Sequence, residues 1–447
     1  MDAFDTYITQ NKERFLAELQ ELLRQPSVSA QNIGMKETAD LVIARLNKLG
    51  AKTHLIPIEG GYPVVYGEIG DGPRTLMIYD HYDVQPPEPL DLWHSPPFAP
   101  EIRNGRLYAR GVSDNKGNLM SRVQAIETWL ATRGPLPLKI KFVVEGEEEI
   151  GSPHLTSFAR QYRSLLTADG CLWESGGKDI RGRFMLTFGL KGICYVELEA
   201  HGANRDMHSA FATIVPNPAW RLVWALSTLK TPDDHITVDG LMDHVRPPTE
   251  KEAELLKSIP FEEEQLKADW NIPAFVRNLT GYELVKKHFF EPTCTICGFL
   301  SGYTGPGSKT VLPAKAMVKL DFRLVPNLTP ELVLDLLRKH LDRRGFTDII
   351  INLSDGEMPA LSPVDGPLAL ASIAAAEAVY GQKPVVQPLM AGSGPMYPLC
   401  QEAGIPTTSG GCSDARSNTH APDESVSVED YFQAIRYVGE LIRQFAS

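Results

Sequence analysis

Three apolar, strand-like runs separated by helical patterns constrain the fold of this chain most strongly. The runs lie at 75–79, 139–144 and 171–173, and a helical stretch at 118–132 falls between the first two. Continuous apolar strands with intervening helices are typical of a sheet that is covered on both faces. The pattern therefore predicts an α/β fold with a mostly parallel sheet.

Side chains that can bind metals follow each of these runs at once. His81 follows the first run, Glu148 and Glu149 follow the second, and Glu174 follows the third. The carboxyl ends of the strands are where open α/β sheets build their sites. A run of glutamates is usually a solvated face, but like carboxylates at the end of a buried strand repel unless protons or cations compensate. These residues are thus candidate ligands.

The middle of the chain has a different order of strands and helices. Its strand and helix patterns follow in the order β-α-β-β-α-β, at 193–200, 216–229, 294–300, 314–324, 330–344 and 347–352. This order is the ferredoxin-like pattern, interrupted by a charged insertion at 232–292. The α/β pattern then returns, with helices at 369–379 and 428–445. We expect a catalytic domain at 1–189 and 356–447, and an inserted domain at 190–355.

Charge and composition exclude several classes of function. The 44 basic and 56 acidic residues give a net charge of -12, with no cluster of Lys and Arg, so we expect no nucleic-acid or membrane partner. No apolar stretch approaches the ~20 residues that span a bilayer. The N-terminal residues lack the pattern of a secretory signal, so we expect a cytoplasmic protein. Cys294 and Cys297 lack the second pair that a zinc ribbon needs, and we interpret them as strand residues.

Two further motifs add metal-ligand side chains. Asp114 lies in the Gly-bounded loop G-V-S-D-N-K-G, and His420 lies in S-N-T-H-A-P-D-E. Histidines and carboxylates without thiolates suit a hydrolytic zinc site that leaves a position open for water. Two metals ~3.5–4 Å apart can share a carboxylate and a water, lowering the pKa of that water. A further carboxylate can accept its proton.

The motifs H-x-D-V-Q-P, W-x-x-x-P-F and E-G-x-E-E-x-G-S carry a resemblance to a known family. The chain resembles the dinuclear zinc peptidases that include carnosinase-type cytosolic dipeptidases, acetylornithine deacetylase, succinyl-diaminopimelate desuccinylase and glutamate carboxypeptidases. It is most similar to the dipeptidase branch. The resemblance implies a homodimer with a lid and dimerisation domain, and hydrolysis of dipeptides or similar small substrates that carry a free carboxylate. It also implies two divalent metal ions per chain, zinc with manganese or cobalt as alternatives.

The resemblance assigns roles to the candidate residues. It implies that Asp114 bridges both metals and that Glu148 is the general base, while Asp83 orients a ligand histidine. The other implied ligands are His81 and Glu174 for one metal, and Glu149 and His420 for the second.

The inserted domain and the last part of the chain supply the remaining implied residues. Arg323, in R-L-V-P, would hold the substrate carboxylate. His208, in D-M-H-S, would reach the active site of the partner subunit. Further substrate contacts are implied for Thr310, Gly392 and Ser393.

The chain departs from the pattern of the family at three positions. Asp80 stands where relatives commonly have Gly, Asn115 where many have Asp, and Glu147 where an apolar residue is common. These departures bear on substrate choice and metal affinity. Two alternatives stay open, an N-acyl amino acid deacylase that uses the same centre and a metal-free binding protein. The sequence leaves the side-chain specificity, the native metal and the pathway undecided.

Overall fold

The computed structural model describes residues 2–447, which divide into two compact units. The first unit comprises residues up to 189 together with 361–388 and 398–447. The second comprises 190–360 and 389–397. It therefore reaches past the expected boundary at 355 and takes a segment that the sequence interpretation gave to the catalytic domain. The reason is local, because Leu389 lies in the core of the second unit and Met390 forms a β-bridge with Leu190.

The α-helices are distributed over both units. Within residues 2–447 they are α1 (Ala3–Gln10), α2 (Lys12–Arg24), α3 (Met35–Lys48), α4 (Lys116–Arg133), α5 (Leu155–Gln161), α6 (Arg163–Leu166), α7 (Pro218–Leu226), α8 (Glu250–Ser258), α9 (Glu263–Asp269), α10 (Gly281–Phe290), α11 (Pro330–Arg343), α12 (Pro367–Tyr380), α13 (Met396–Leu399) and α14 (Val428–Ala446).

The strands range from two to ten residues. In chain order the described strands are β1 (Lys52–Ile56), β2 (Val64–Ile69), β3 (Thr75–His81), β4 (Glu101–Arg103), β5 (Arg106–Tyr108), β6 (Lys139–Glu145), β7 (Gly170–Trp173), β8 (Gly177–Lys178), β9 (Phe184–Thr187), β10 (Gly189–Leu190), β11 (Gly192–His201), β12 (Met207–His208), β13 (Thr295–Ser301), β14 (Val311–Leu312), β15 (Lys315–Leu324), β16 (Ile350–Glu357), β17 (Ala360–Leu361), β18 (Val385–Gln387), β19 (Thr407–Ser409) and β20 (Ser425–Ser427).

The first unit is built around a six-stranded sheet in the order β1-β2-β6-β3-β7-β19. Strands β6, β3, β7 and β19 are parallel, and the edge pair β1 and β2 is antiparallel. The three apolar runs of the sequence form β3, β6 and β7, the adjacent central strands, which are almost fully buried. The predicted α/β fold with a mostly parallel sheet is confirmed.

The second unit has a four-stranded antiparallel sheet in the order β13-β15-β11-β16. Burial alternates along β11 and β15, and one face of the sheet packs on α7 and α11. The N-cap of α11 is Thr329, whose side chain accepts a hydrogen bond from Leu332 N. This arrangement is the predicted ferredoxin-like one.

The last strand of this sheet lies further along the chain than expected. It was predicted at 347–352, whereas β16 runs from Ile350 to Glu357. Ile349, which the prediction placed in the strand, belongs instead to the hydrophobic core beneath the sheet, as does Phe346 just before the predicted range. The later half of β16 is polar, and its backbone pairs with β11 as far as Glu357. A hydrophobicity pattern cannot register an exposed edge strand of this kind.

Candidate metal centre

The ends of three neighbouring parallel strands bring the candidate ligands of the first unit together. His81 is the last residue of β3 and pairs in register with Glu145, the last residue of β6. A single 3-10 turn, Glu148–Ile150, follows β6, and Glu174 comes directly after β7. Since β3 lies between β6 and β7, these side chains converge at one edge of the sheet.

Two histidines face the two oxygens of one aspartate. His81 Nε2 lies 3.0 Å from Asp114 Oδ1 and 3.3 Å from Glu174 Oε2. His420 Nε2 lies 3.0 Å from Asp114 Oδ2 and 3.1 Å from Glu149 Oε2. The five side chains thus form two groups of one histidine and one glutamate, with Asp114 common to both.

The donor set suits divalent cations. Ligand atoms of His81, Asp114 and Glu149 all lie within 4.8 Å of one another, and imidazole and carboxylate are the ligands that zinc and similar metals take. Glu174 Oε2 is buried and accepts no hydrogen bond from the described residues. A buried carboxylate oxygen without a donor is costly unless a cation or proton compensates it. The site therefore fits the metal ions that the sequence implied.

The close approach of these histidines and carboxylates shifts their pKa values. Burial disfavours the charged form of His81, but the carboxylates of Glu174 and Asp114 outweigh it and raise the pKa of His81 well above its usual range. Hydrogen bonds to Asp114 and Glu149 raise the pKa of His420 to about 10. Burial and the neighbouring Glu148 raise the pKa of Glu174 well above normal. In the chain alone, protons balance charges that metal ions would otherwise balance.

Glu148 and Glu147 are adjacent but face different surroundings. Glu148 Oε2 lies 3.9 Å from His81 Nε2, at the edge of the ligand cluster. Burial, together with the charges of Asp114 and Glu149, raises the pKa of Glu148 to about 8. Glu147 instead accepts a hydrogen bond of 3.1 Å from Tyr62 N, and its Oε2 lies 2.9 Å from His154 Nδ1. Only Glu148 is placed beside the candidate metal ligands.

Asp83 and Gln85 hold two of the candidate ligands. His81 Nδ1 lies 3.1 Å from the Asp83 backbone oxygen and 3.3 Å from its Oδ1. The other oxygen of Asp83 accepts a hydrogen bond of 3.1 Å from Glu149 N. Gln85 Nε2 donates to Glu149 Oε2 at 2.9 Å. Contacts of this kind fix the orientation of ligand side chains. The motif H-x-D-V-Q-P contains Gln85, but the sequence alone did not indicate this role for it.

A buried network centred on Arg122 was missed in the sequence. The guanidinium donates to Asp80 Oδ1 at 2.7 Å, to Tyr79 O at 2.8 Å and to Glu174 O at 2.8 Å. Asn115 Nδ2 also donates to Asp80 Oδ1, at 2.8 Å. The network therefore ties the backbone beside His81, Asp114 and Glu174 together. The network has no local signal in the sequence, because Arg122 stands among other polar residues of α4, and only its burial in the fold shows that its charge requires a partner.

Glu424 was missed as well, although it stands in the same motif as His420. Its Oε1 accepts hydrogen bonds from Ser113 N at 2.7 Å and Asp114 N at 3.1 Å. Its Oε2 accepts from Arg110 Nη1 at 2.7 Å and Gly111 N at 2.9 Å. All of these groups are buried or nearly so. Glu424 thereby fixes the loop that presents Asp114.

The remaining sequence-predicted residues lie in the second unit. His208 and Thr310 are neighbours, because β12 pairs with β14 and Ser209 N donates to Thr310 O at 3.0 Å. Arg323 Nη1 donates to Ser393 Oγ at 2.8 Å, and Ser393 Oγ donates to a backbone oxygen of β11 at 3.0 Å. Gly392 precedes Ser393 in the same segment. The structure thus places these five residues in two groups within the second unit, His208 with Thr310, and Arg323 with Gly392 and Ser393.

Comparisons with known proteins identify a family of peptidases and relatives that are named as dipeptidases. The model of peptidase family M20/M25/M40 matches residues 77–444. Beta-Ala-His dipeptidase of Rattus norvegicus is 28% identical over 409 residues, which cover 85% of this chain and 82% of the relative. Cys-Gly metallodipeptidase dug1 of Schizosaccharomyces pombe is 32% identical over 369 residues, 77% of this chain and 76% of the relative. The resemblance seen in the motifs is confirmed.

Solved structures share the whole fold. The M20 family metallo-carboxypeptidase of Sulfolobus solfataricus has a TM-score of 0.89 and 39% identity, covering 97% of this chain and 99% of its own. Human carnosine dipeptidase 1 has a TM-score of 0.78 and 25% identity, covering 99% of each chain. The match of the family model over residues 77–444, together with a fold shared with these structures, shows that this chain belongs to peptidase family M20/M25/M40.

Proposed function

We propose that this metallopeptidase is a dipeptidase, which hydrolyses the amide bond of dipeptides or similar small substrates with a free carboxylate. One observation carries the proposal. The two oxygens of Asp114 face His81 and His420 separately, each at 3.0 Å. A carboxylate that faces two donor groups in this way suits a pair of metal ions. The two sequence relatives are named as dipeptidases, which favours a peptidase over an N-acyl amino acid deacylase.

The proposed ligand sets follow the two groups. His81, Asp114 and Glu174 would hold one metal ion, and Asp114, Glu149 and His420 would hold the other. Zinc is the proposed metal, with manganese or cobalt as alternatives, because the donors are nitrogen and oxygen without thiolate. When bound, the two ions supply Lewis acidity to the scissile carbonyl and lower the pKa of the attacking water.

Glu148 is the proposed general base. Its carboxylate lies beside the ligand cluster without belonging to either group, so it can accept the proton of the attacking water and later deliver it to the leaving amine. Its raised pKa in the chain alone is a consequence of burial and neighbouring carboxylates. Positive charge in the site would lower that pKa and favour the ionised form that a base requires.

The second unit supplies the proposed substrate contacts. A guanidinium can grip a carboxylate through two parallel hydrogen bonds, and Arg323 is partly exposed on β15. Ser393 already accepts a hydrogen bond from Arg323. We assign the substrate carboxylate to Arg323, with Ser393, Gly392 and Thr310 as further contacts. His208 would donate a hydrogen bond to the developing oxyanion in the active site of the partner subunit.

A homodimer formed through the second unit belongs to the same proposal. This unit exposes Trp220 and Trp224 on α7, with ring centroids 6.1 Å apart, and Ile296 and Leu300 on the edge strand β13. Exposed apolar groups and open sheet edges both favour association. A two-fold interface would use the same surface on both chains.

We also propose a cytoplasmic location. All six cysteines lie in the described part of the chain, and none forms a disulfide. Free cysteines are usual in reducing compartments. Separately, none of the described helices has the length and hydrophobicity that crossing a membrane requires.

Metal analysis and a substrate screen test the proposal together. We expect two metal ions per chain, loss of turnover with a chelator, and recovery on adding zinc, manganese or cobalt. Asp114→Ala should lose both ions, because it removes the shared ligand, whereas Asp5→Ala on the surface should keep them. Dipeptides should be hydrolysed faster than N-acetyl or N-succinyl amino acids. An active enzyme without bound metal, or a preference for N-acyl amino acids, would contradict the proposal.

A further inference from the structure

The charged insertion and the edge of the second-unit sheet line a cavity of about 730 Å³ that is partly open to solvent. One wall is aromatic and aliphatic, formed by Phe261, Leu266, Trp270, Phe275 and Leu284. The volume lies within the range of about 300–1,000 Å³ found for small-molecule sites, which are mostly apolar with a few polar groups. None of the metal-ligand candidates lines it, and it lies wholly within the second unit.

Lys191 places a positive charge at the wall of this cavity. The residue is only 2% exposed. Its Nζ donates to His288 O at 2.8 Å and Glu291 O at 2.7 Å. An ammonium has three N–H donors, so one remains beyond these two bonds. No carboxylate of the described residues lies within 4.0 Å of this Nζ.

The other charges of the wall balance one another. Lys230 Nζ lies 2.5 Å from Asp234 Oδ1, and Lys287 Nζ lies 3.3 Å from Asp234 Oδ2 and 3.1 Å from Glu291 Oε2. Three lysines against two carboxylates leave one net positive charge. Lys191 is the lysine without a carboxylate. Burial lowers the pKa of Lys191 to about 8, which still leaves it protonated near pH 7.

A buried ammonium is costly unless an opposite charge compensates it. A cationic ligand would add to the cost, and a neutral apolar ligand would leave Lys191 uncompensated. An inorganic anion would leave the apolar wall exposed to water. The occupant that matches both features is an organic anion with an apolar body.

We propose that this cavity is a second ligand site, which binds a small carboxylate with an aromatic or branched aliphatic body. The carboxylate contacts Lys191, and the body packs against Trp270 and Phe275. The site is distinct from the substrate contacts proposed above, because Arg323 directs its guanidinium to Ser393, and neither residue lines the cavity.

Calorimetric titration of the metal-loaded enzyme with 3-phenylpropionate tests the proposal, with 3-phenylpropanamide as the neutral isostere. We expect the amide to bind at least about tenfold more weakly than the carboxylate, because its oxygen can still accept a hydrogen bond from Lys191 but brings no negative charge to compensate the ammonium. Lys191→Met should weaken carboxylate binding by a similar factor. Trp270→Glu should weaken it as well, since it adds a negative charge to the wall.

Matched controls locate the site. Trp270 is 59% exposed and Leu370, in the first unit, is 58% exposed, so Leu370→Glu makes a comparable surface change elsewhere and should bind as wild type. If Lys191→Met fails to fold, Trp270→Glu still decides. Equal affinity for the amide and the carboxylate, or undiminished binding in Trp270→Glu and folded Lys191→Met, would overturn the proposal. No detectable binding of 3-phenylpropionate or of 4-methylpentanoate would do the same.

Discussion

Asn115 Nδ2 donates a hydrogen bond of 2.8 Å to Asp80 Oδ1. The residue that follows Asp114 therefore contacts the residue that precedes His81, inside the protein. An aspartate at position 115 would face the Asp80 carboxylate and repel it, whereas the asparagine amide stabilises it. The two departures from the family pattern, at positions 80 and 115, are therefore linked by a direct hydrogen bond. Arg122 donates a further hydrogen bond to the same oxygen of Asp80.

The ion pair between Asp80 and Arg122 should be essential for stability. Both side chains are fully buried, and removing one partner of a buried pair costs about 3–5 kcal/mol. We expect Asp80→Asn to lower the free energy of unfolding in urea by that amount and to weaken metal retention. The control is Asp348→Asn, which breaks an exposed pair with Arg221 and should cost less than about 1 kcal/mol. Similar losses in both variants would show that the buried pair has no special role.

Glu148→Gln should keep the metal ions and lose turnover by at least about 10²–10⁴-fold, because the amide cannot accept a proton. The matched control is its neighbour, Glu147→Gln. Glu147 contacts Tyr62 N and His154 instead of the ligand cluster, so its turnover should stay within a few-fold of wild type. Metal content and kcat are measured for both. Near-normal kcat in Glu148→Gln would exclude it as the base.

Arg323→Lys should impair hydrolysis of free dipeptides strongly, because lysine cannot form the bidentate contact with a carboxylate. C-terminally amidated dipeptides should be poor substrates for the wild type. The kcat/KM for amidated dipeptides should fall little further in Arg323→Lys, since these substrates lack the carboxylate that Arg323 would contact. Values of kcat/KM for both substrates in both proteins give the test, with Arg221→Lys as a surface control. Equal use of free and amidated dipeptides by the wild type would rule out this role.

His208 is suited to act as a donor. Its Nδ1 accepts a hydrogen bond of 3.1 Å from Ala210 N, so the neutral ring carries its proton on Nε2. We expect His208→Ala to lose about 10²–10³ in turnover. Mixing it with Glu148→Gln chains should restore part of the activity, because one site of a mixed dimer then holds both residues intact. Subunit exchange is verified with differently tagged chains, and exchange without recovery would show that His208 does not act across the interface.

Glu357 provides a pH-dependent contribution to stability. Burial, reinforced by Asp355 and opposed by Arg323, raises its pKa to about 7, whereas a glutamate in an unfolded chain titrates near 4.3. Between about pH 5 and 7 the folded chain keeps a proton that the unfolded chain has lost, so stability falls as pH rises. Relative to Glu357→Gln, the wild type should lose about 1–2 kcal/mol over this window in urea unfolding. Parallel pH profiles would contradict this assignment.

The central strands and the histidine and carboxylate motifs could be predicted because their signals are local. Buried parallel strands are continuous apolar runs, and His81 and Glu174 lie at or directly after their ends. The edge strand β1 was not predicted, because most of its residues are exposed and dilute the apolar pattern. Its neighbour β2 was not predicted either, although its first four residues are buried. The last strand of the second unit, β16, was predicted too early in the chain because most of its residues are exposed.

The supporting residues of the site could not be derived from local pattern. Arg122 and Glu424 act through backbone groups far away in sequence, such as Glu174 O and Asp114 N. The residues around Glu424 do not indicate that its carboxylate will bind the loop of Asp114. The charged insertion at 232–292 likewise gave no sign that it lines a cavity with Lys191, because lysine in a strand-edge segment usually reaches solvent.

The position of Glu424 has a consequence for when the protein can become active during its synthesis. The loop that presents Asp114 is held by this carboxylate, and His420 comes from the same late segment. A ribosome that has made the first 400 residues has therefore already released β3, β6 and β7, but neither the second histidine nor the clamp on the loop. Domains tend to fold as they emerge, but even the second unit also takes in residues 389–397 and so is not complete when residue 360 has been made. The candidate metal centre can therefore form only after residue 424 has been made, well after the strands that carry its first candidate ligands.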